Sequence, residues 1–278
     1  MKRALRYITL VDMLFILALS FFASFDEPIS LVLRIAFALV VAFIAYRISL
    51  EMREERERVA GVAEESVYLY RMKGGDIPLF ASLVMPTVGF IFAISMFTSF
   101  LLGLVNLEAP AVANRPFLEM LIVNCLVPVT VEEIIFRYIP MKLLAPYSKR
   151  WCIILSALFF ALAHLNVFQI PYAFIAGVIF MALNLLTDSI IPSILLHVFN
   201  NVISILYIKY SADVTFNTVF IIVLAVSALI SLVPLVILVR KNFSRIKEMF
   251  VRGEPLTSSY APILFVIFTL FLAIYNLF

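Results

Sequence analysis

Apolar runs of about 18 residues or more recur along the whole chain. Each is closed by a short break that carries proline, aspartate, asparagine or a cluster of charges. At 1.5 Å of rise per residue, runs of this length cross the ~30 Å hydrocarbon core of a bilayer as helices. The pattern predicts nine candidate spans, at 8–24, 29–49, 78–104, 117–145, 151–166, 168–187, 189–208, 216–239 and 259–278. The expected fold is all-α, a polytopic transmembrane helix bundle of eight to nine spans. No internal repeat is evident and no stretch separates a second domain, so residues 1–278 read as one integral membrane domain. The fifth and sixth spans are the shortest, and "HLNVFQIP" between them reads as a bend embedded in the membrane.

Two segments need a separate reading. The stretch "EMREERERVAGVAEESVYLYRM" is helix-prone and charged at its start, with Arg53–Glu57 and Glu54–Arg58 at the i,i+4 spacing of intrahelical ion pairs. Residues 51–73 are expected to be a cytoplasmic interfacial helix or an extension of the second span, ended by Gly74 and Gly75. The first apolar run follows "MKRALR" as a signal peptide would, but no small-x-small cleavage site precedes "FDEP", so it is expected to be retained.

Composition excludes a water-soluble domain. Of 278 residues, 64% are hydrophobic and 14% charged, against roughly 25% charged in soluble proteins. The net charge of +3 says less than the placement of the charges. With the N-terminus in the cytoplasm and the spans alternating, 17 of the 21 Lys and Arg residues fall on the cytoplasmic side. They sit near the N-terminus, in 47–73, in 142–150 and in 240–252. Arg115 and Lys209 fall outside, and Arg34 and Arg137 lie within spans. The asymmetry supports nine spans with the C-terminus outside, and the expected setting is the plasma membrane of a prokaryote. Cys125 and Cys152 match no metal or redox spacing and read as buried free thiols.

Charges inside spans are costly and default to functional hypotheses. Asp12 and Arg34 lie near span ends and are expected to snorkel. Glu119 opens the fourth span, where a helix N-terminus favours an anion. Asp188 lies in a turn and is expected to cap the seventh span. The sequence "VEEIIFRYIP" is different, because it places Glu132, Glu133 and Arg137 near the middle of the fourth span. Glu133 and Arg137 have the favourable i,i+4 order for a pair. Glu132 points about 100° away from Glu133 on the helix, and a carboxylate left free there is suited to proton transfer.

The chain has only two histidines, and both are in spans: His164 in "FFALAHL" and His197 in "LLHVFNN". The fourth and fifth spans form a hairpin turning at about 146–150. Glu132 and His164 each lie ~20 Å from that turn, so they share a depth on adjacent helices. His197 and Asn201 are i,i+4 and share a helix face. His197 is nearer the cytoplasmic end of its span, so the bundle must tilt or dip for it to join them. These groups could serve as interhelical hydrogen-bond glue. A bundle needing only that could use Ser or Thr, and need not commit its only histidines and an adjacent pair of glutamates.

These residues resemble a known family. "EEIIFR" (Glu132, Glu133, Arg137) looks like the EExxxR motif of the CAAX-protease and bacteriocin-processing (CPBP, or Abi) intramembrane proteases. "FALAH" (Phe160 to His164) is similar to its FxxxH motif, and "HVFNN" (His197 to Asn201) to its HxxxN motif. The three occur in the family's order across 132–201. The resemblance implies a four-helix catalytic core, here 117–208, and an intramembrane endopeptidase. Glu132 with His164 would activate water, and His197 with Asn201 would stabilise the oxyanion. Glu133, Arg137 and Phe160 would support the site. The implied partners are the bilayer and a membrane-anchored or lipidated peptide, prenylated or bacteriocin-like, and no nucleic acid. No cofactor is expected. Zn²⁺ held by two His and a Glu is the competing chemistry, but no HExxH is present, and the metal-free glutamate mechanism is favoured. Two other functions compete: a non-catalytic membrane regulator or immunity protein of the same fold, and a proton-coupled transporter. The second lacks any visible broken-helix inverted repeat. Substrate identity and oligomeric state are not legible.

Overall fold

The computed structural model describes residues 1–60, 77–104, 115–251 and 261–275. Those residues form ten helical runs and no strand, as the hydropathy pattern predicts. They are α1 (Lys2–Phe22), α2 (Glu27–Ala60), α3 (Ile77–Gly103), α4 (117–143), α5 (Lys149–Ala163), α6 (Ile170–Thr187), α7 (Ile191–Tyr210), α8 (Val214–Lys241), α9 (Phe243–Val251) and α10 (Ala261–Tyr275). Six of them, α1–α3 and α6–α8, are long and apolar enough to cross a membrane. The other three expected spans form helices of a different kind. α5 and α10 have 15 residues each, and α4 is interrupted by two π-helical turns. The short amphipathic α9 was not among the expected elements. Helix α2 continues past its apolar run to Ala60, so the start of the charged segment extends the second span. Arg53 and Glu57 pair there at 2.8 Å. Residues 61–73 of that segment, and Arg58's side chain, lie outside the described residues.

The bundle is held by an apolar core and sheathed in apolar side chains. Helix α1 shows the logic. Ala4, Leu5, Ile8, Val11, Phe15 and Ile16 are buried, at the three- and four-residue steps that put side chains on one helix face. Outward-facing Val32, Phe43, Phe97, Leu229 and Ile230 are each at least 60% exposed. In water such a surface would aggregate, whereas against lipid it is the expected one. Small residues set the closest approaches. A Cβ on Gly177 of α6 would meet the Ala157 Cα of α5 at 2.8 Å, so glycine lets the two backbones touch.

Helix α4 owes its irregularity to two prolines. π-Helical turns cover Ile122–Leu126 and Ile134–Tyr138, and Pro128 and Pro140 follow them closely. Proline has no N–H and crowds the carbonyl four residues back. Those carbonyls belong to Asn124 and Phe136, and each is taken by a side chain from another helix. Asn201 Nδ2 of α7 donates to the Asn124 carbonyl at 3.3 Å, and Ser156 Oγ of α5 donates to that of Phe136. The prolines thus supply acceptors that dock α4 onto α5 and α7.

Contacts sort the connections into two ends. At one end Arg3 bonds Glu51, and residues 145–149, 185–188 and 245–249 surround a common hollow. At the other, Arg115 pairs with Glu27 and Glu119, and Lys209 Nζ donates to the Arg115 carbonyl at 3.2 Å. The grouping agrees with the alternation of spans. Two expectations fail. Asp12 does not snorkel: it is 1% exposed, on the face of α1 that packs inward. Helix α1 begins at Lys2, so Asp12 lies about three turns inside it, on the buried stripe. Asp188 does not cap α7 either. It ends α6 in the left-handed conformation, at φ 52°. Ser189 Oγ instead accepts the Ile191 N–H at 3.2 Å. Cys125 and Cys152 are free and buried, as expected.

Candidate active site

Helices α4 to α7 enclose a cavity of about 400 Å³ whose lining includes Glu132, Phe160, His164, His197 and Asn201. Glu132 comes from α4, His164 caps the C-terminus of α5, and His197 and Asn201 lie one turn apart on α7. The expected bend between α5 and α6 is present at 164–169, with Leu165 in the left-handed region at φ 50°. It places His164 at a helix end, where the imidazole reaches the cavity.

The two glutamates occupy different environments. Glu133 is fully buried, and its oxygens are both engaged: His197 Nδ1 lies 2.9 Å from Oε1, and Ser193 Oγ donates to Oε2 at 2.5 Å. Glu132 keeps 23% of its side chain exposed and faces the other edge of the same imidazole, with Oε2 3.6 Å from His197 Nε2. His197 therefore sits between adjacent carboxylates, one enclosed and one at the cavity wall. Because a carboxylate only accepts, the Nδ1–H of His197 points at Glu133, and Nε2 is the nitrogen offered to Glu132 and the cavity. The same reasoning fixes His164. Its Nδ1 is 2.9 Å from the Phe160 carbonyl, so that nitrogen carries the proton and Nε2 keeps a lone pair.

The i,i+4 pair read from the sequence exists in weakened form. Arg137 Nε lies 3.8 Å from Glu133 Oε2, beyond hydrogen-bond reach. The π-helical turn that begins after Glu133 changes the winding between them, and Glu133 has better partners across the bundle. Arg137 is fully buried, and its guanidinium stacks over the Phe160 ring at 4.3 Å, with Phe180 at 5.6 Å. A desolvated cation gains about 2 kcal/mol from such a ring face. Phe160 also meets His164 and His197 edge-on, at 4.8 and 5.5 Å between centroids. Its ring thus separates the buried cation from both imidazoles while holding each in place.

Several contributors escaped the sequence reading. Ser193 holds Glu133, and Asn184 of α6 holds Ser193. Asn184 Nδ2 donates to Ser193 Oγ at 2.7 Å, and its Oδ1 accepts the Ser193 N–H at 3.2 Å. Ser193 precedes His197 by four residues, on the same helix face, and Asn184 is an amide in the middle of an apolar run. Both were visible as polar residues inside spans. Gln169, Tyr172 and Asn200 also line the cavity. Among the described residues no three His, Cys, Asp or Glu side chains gather as a metal site.

Comparison with known proteins reaches the same segment. No curated protein and no solved structure matches the chain. Residues 114–203 match a family described as type II CAAX prenyl endopeptidase Rce1-like, which covers the whole run of EExxxR, FxxxH and HxxxN motifs. That match supports a CAAX-type intramembrane endopeptidase in general terms. The match covers about a third of the chain and falls on the segment that carries the three motifs.

Proposed function

We propose that the protein hydrolyses a peptide bond of a membrane-associated peptide, prenylated or bacteriocin-like, by a metal-free glutamate mechanism. The observation that carries the reading is that Glu132, His164, His197 and Asn201, drawn from three helices, line one cavity. In this reading a water enters between Glu132 and His164. Its oxygen attacks the scissile carbonyl carbon while its proton passes to the Glu132 carboxylate or the His164 Nε2 lone pair. Charge then develops on the carbonyl oxygen. His197 Nε2, in its protonated form, and the second N–H of the Asn201 amide are the donors placed to meet it. The proton returns to the leaving amine as the C–N bond breaks, and no covalent intermediate forms. Glu133 orients His197 from behind, and Ser193 and Asn184 orient Glu133.

The test is cleavage of a lipidated C-terminal peptide library by the purified protein in detergent. Wild type is expected to cleave at least one peptide, and Glu132→Ala none, with its helix content and melting unchanged. Activity that survives Glu132→Ala would remove that residue as the base. Loss of activity on treatment with a chelator, with restoration by Zn²⁺, would overturn the metal-free mechanism.

A further inference from the structure

The lining of the cavity is weighted toward one end of the helices that enclose it. Helices α4 and α6 begin at the end where Arg115 meets Glu27, and their lining residues come early, from Asn124 to Glu132 and from Tyr172 to Phe180. Helices α5 and α7 finish at that end. Phe160 and His164 close α5, and on α7 the lining runs from His197, in its first half, to Ile208 near its end. Along α7 the lining runs 11 residues, or ~16 Å, from His197, 5% exposed, past the buried Ile205 to Ile208, 42% exposed near the helix end. In the opposite direction the path closes. Glu133, Ser193 and Asn184 are each 0% exposed and bonded to one another beneath the histidine. The hollow at the far end, lined by Tyr147, Asp188 and Arg245, shares no lining residue with the catalytic cavity.

The charges say which face of the membrane the open end meets. The closed end carries Lys2, Arg3, Lys149, Arg150, Arg245 and Lys247 among others, whereas the open end carries Arg115 and Lys209. Short connections rich in Lys and Arg stay in the cytoplasm. Neutral amides and hydroxyls dominate the polar lining of the cavity, and no Lys or Arg is among its described lining residues.

We propose that the active site is served from the non-cytoplasmic face of the membrane, and that its substrate is a peptide segment presented there by an exported or outer-leaflet-anchored polypeptide. This rests on the peptidase reading for its chemistry but not for its geometry.

Sidedness is measured on the full chain in intact cells with a membrane-impermeant maleimide. The wild type is the unlabelled reference, since Cys125 and Cys152 are buried. Ser204→Cys and Ile208→Cys report on the cavity wall and rim, Ala212→Cys on the turn after α7, and Lys247→Cys on the closed end. The expected result is labelling of the first three in intact cells, and of Lys247→Cys only after permeabilisation. Two cavity variants are used so that misfolding of one leaves the test standing. Labelling of both cavity variants from the same side as Lys247→Cys would overturn the proposal. So would labelling of Lys247→Cys alone in intact cells, or failure of both cavity positions to label while Ala212→Cys labels. Detergent opens both faces, so absence of cleavage there is a failure of the peptidase reading. Cleavage in detergent combined with cytoplasmic labelling of the cavity overturns sidedness alone.

Discussion

Beneath His197 lies a sealed polar floor, and beside it an open polar wall. The floor consists of Glu133, Ser193, Asn184 and Arg137, all 0% exposed. The wall consists of Glu132, His164, Asn200 and Asn201, all in reach of the cavity. The residue types are nearly the same in both, so chemistry alone does not distinguish them. The difference lies in saturation, except at Arg137, whose nitrogens make no hydrogen bond and whose guanidinium rests on the Phe160 and Phe180 rings. In the floor the carboxylate's two oxygens, the hydroxyl and the amide are bonded to each other, which is what a low-dielectric interior demands. In the wall, Glu132 and the His164 Nε2 keep capacity for a ligand. The same imidazole joins the two regions, with one nitrogen on each.

Mutations on either side should separate the two roles. The largest expected effect is on the wall, where Glu132→Ala should lower peptide hydrolysis by about 10²–10⁴-fold, the range for loss of a general base. Its melting temperature should stay near that of wild type, and a large drop would move Glu132 into the floor. On the floor, Glu133→Ala leaves Arg137 buried without its counter-charge. It should cost about 3–5 kcal/mol of stability, as breaking a buried pair does, seen as a lower melting temperature in detergent before any assay. Ser193→Ala removes one donor from Glu133 and should cost about 1–3 kcal/mol, with activity falling only as His197 loses its orientation. Gly177→Ala probes the packing that brings α6 against α5. Overpacking of this kind costs about 1–3 kcal/mol, and a neutral result would show that α6 can shift without disturbing the site. Arg3→Ala, at an exposed pair far from both regions, should leave melting and activity unchanged, because such pairs contribute little.

Much of the bundle was legible because hydropathy is a local property. Each apolar run found its helix, and Arg3, Lys149 and Arg245 lie at one end of the bundle. The failures came where direction mattered more than position. Asp12 was judged by its distance from the helix end, but the buried stripe of α1 decided its fate. The fifth span was drawn to residue 166, three residues past the end of α5 at Ala163, although the bend read in "HLNVFQIP" already begins at His164. At the site, the sequence separated Glu132 from Glu133 correctly, because adjacent residues on a helix face different ways. It paired Glu133 with Arg137, since an i,i+4 spacing is visible in one dimension and a contact with α7 is not.

By itself the sequence determined an all-helical bundle, the alternation of its ends and the ordered motifs whose residues line the cavity. These follow from transfer free energy and helical periodicity, which act on neighbours in the chain. Only the tertiary structure decided that Glu133 bonds His197 and Ser193, that carbonyls freed by Pro128 and Pro140 dock neighbouring helices, and that the cavity is closed toward the basic end. Those outcomes depend on the rotation and approach of packed helices. Interhelical contacts such as Gly177 against Ala157 fix that rotation, and no spacing along one helix encodes it.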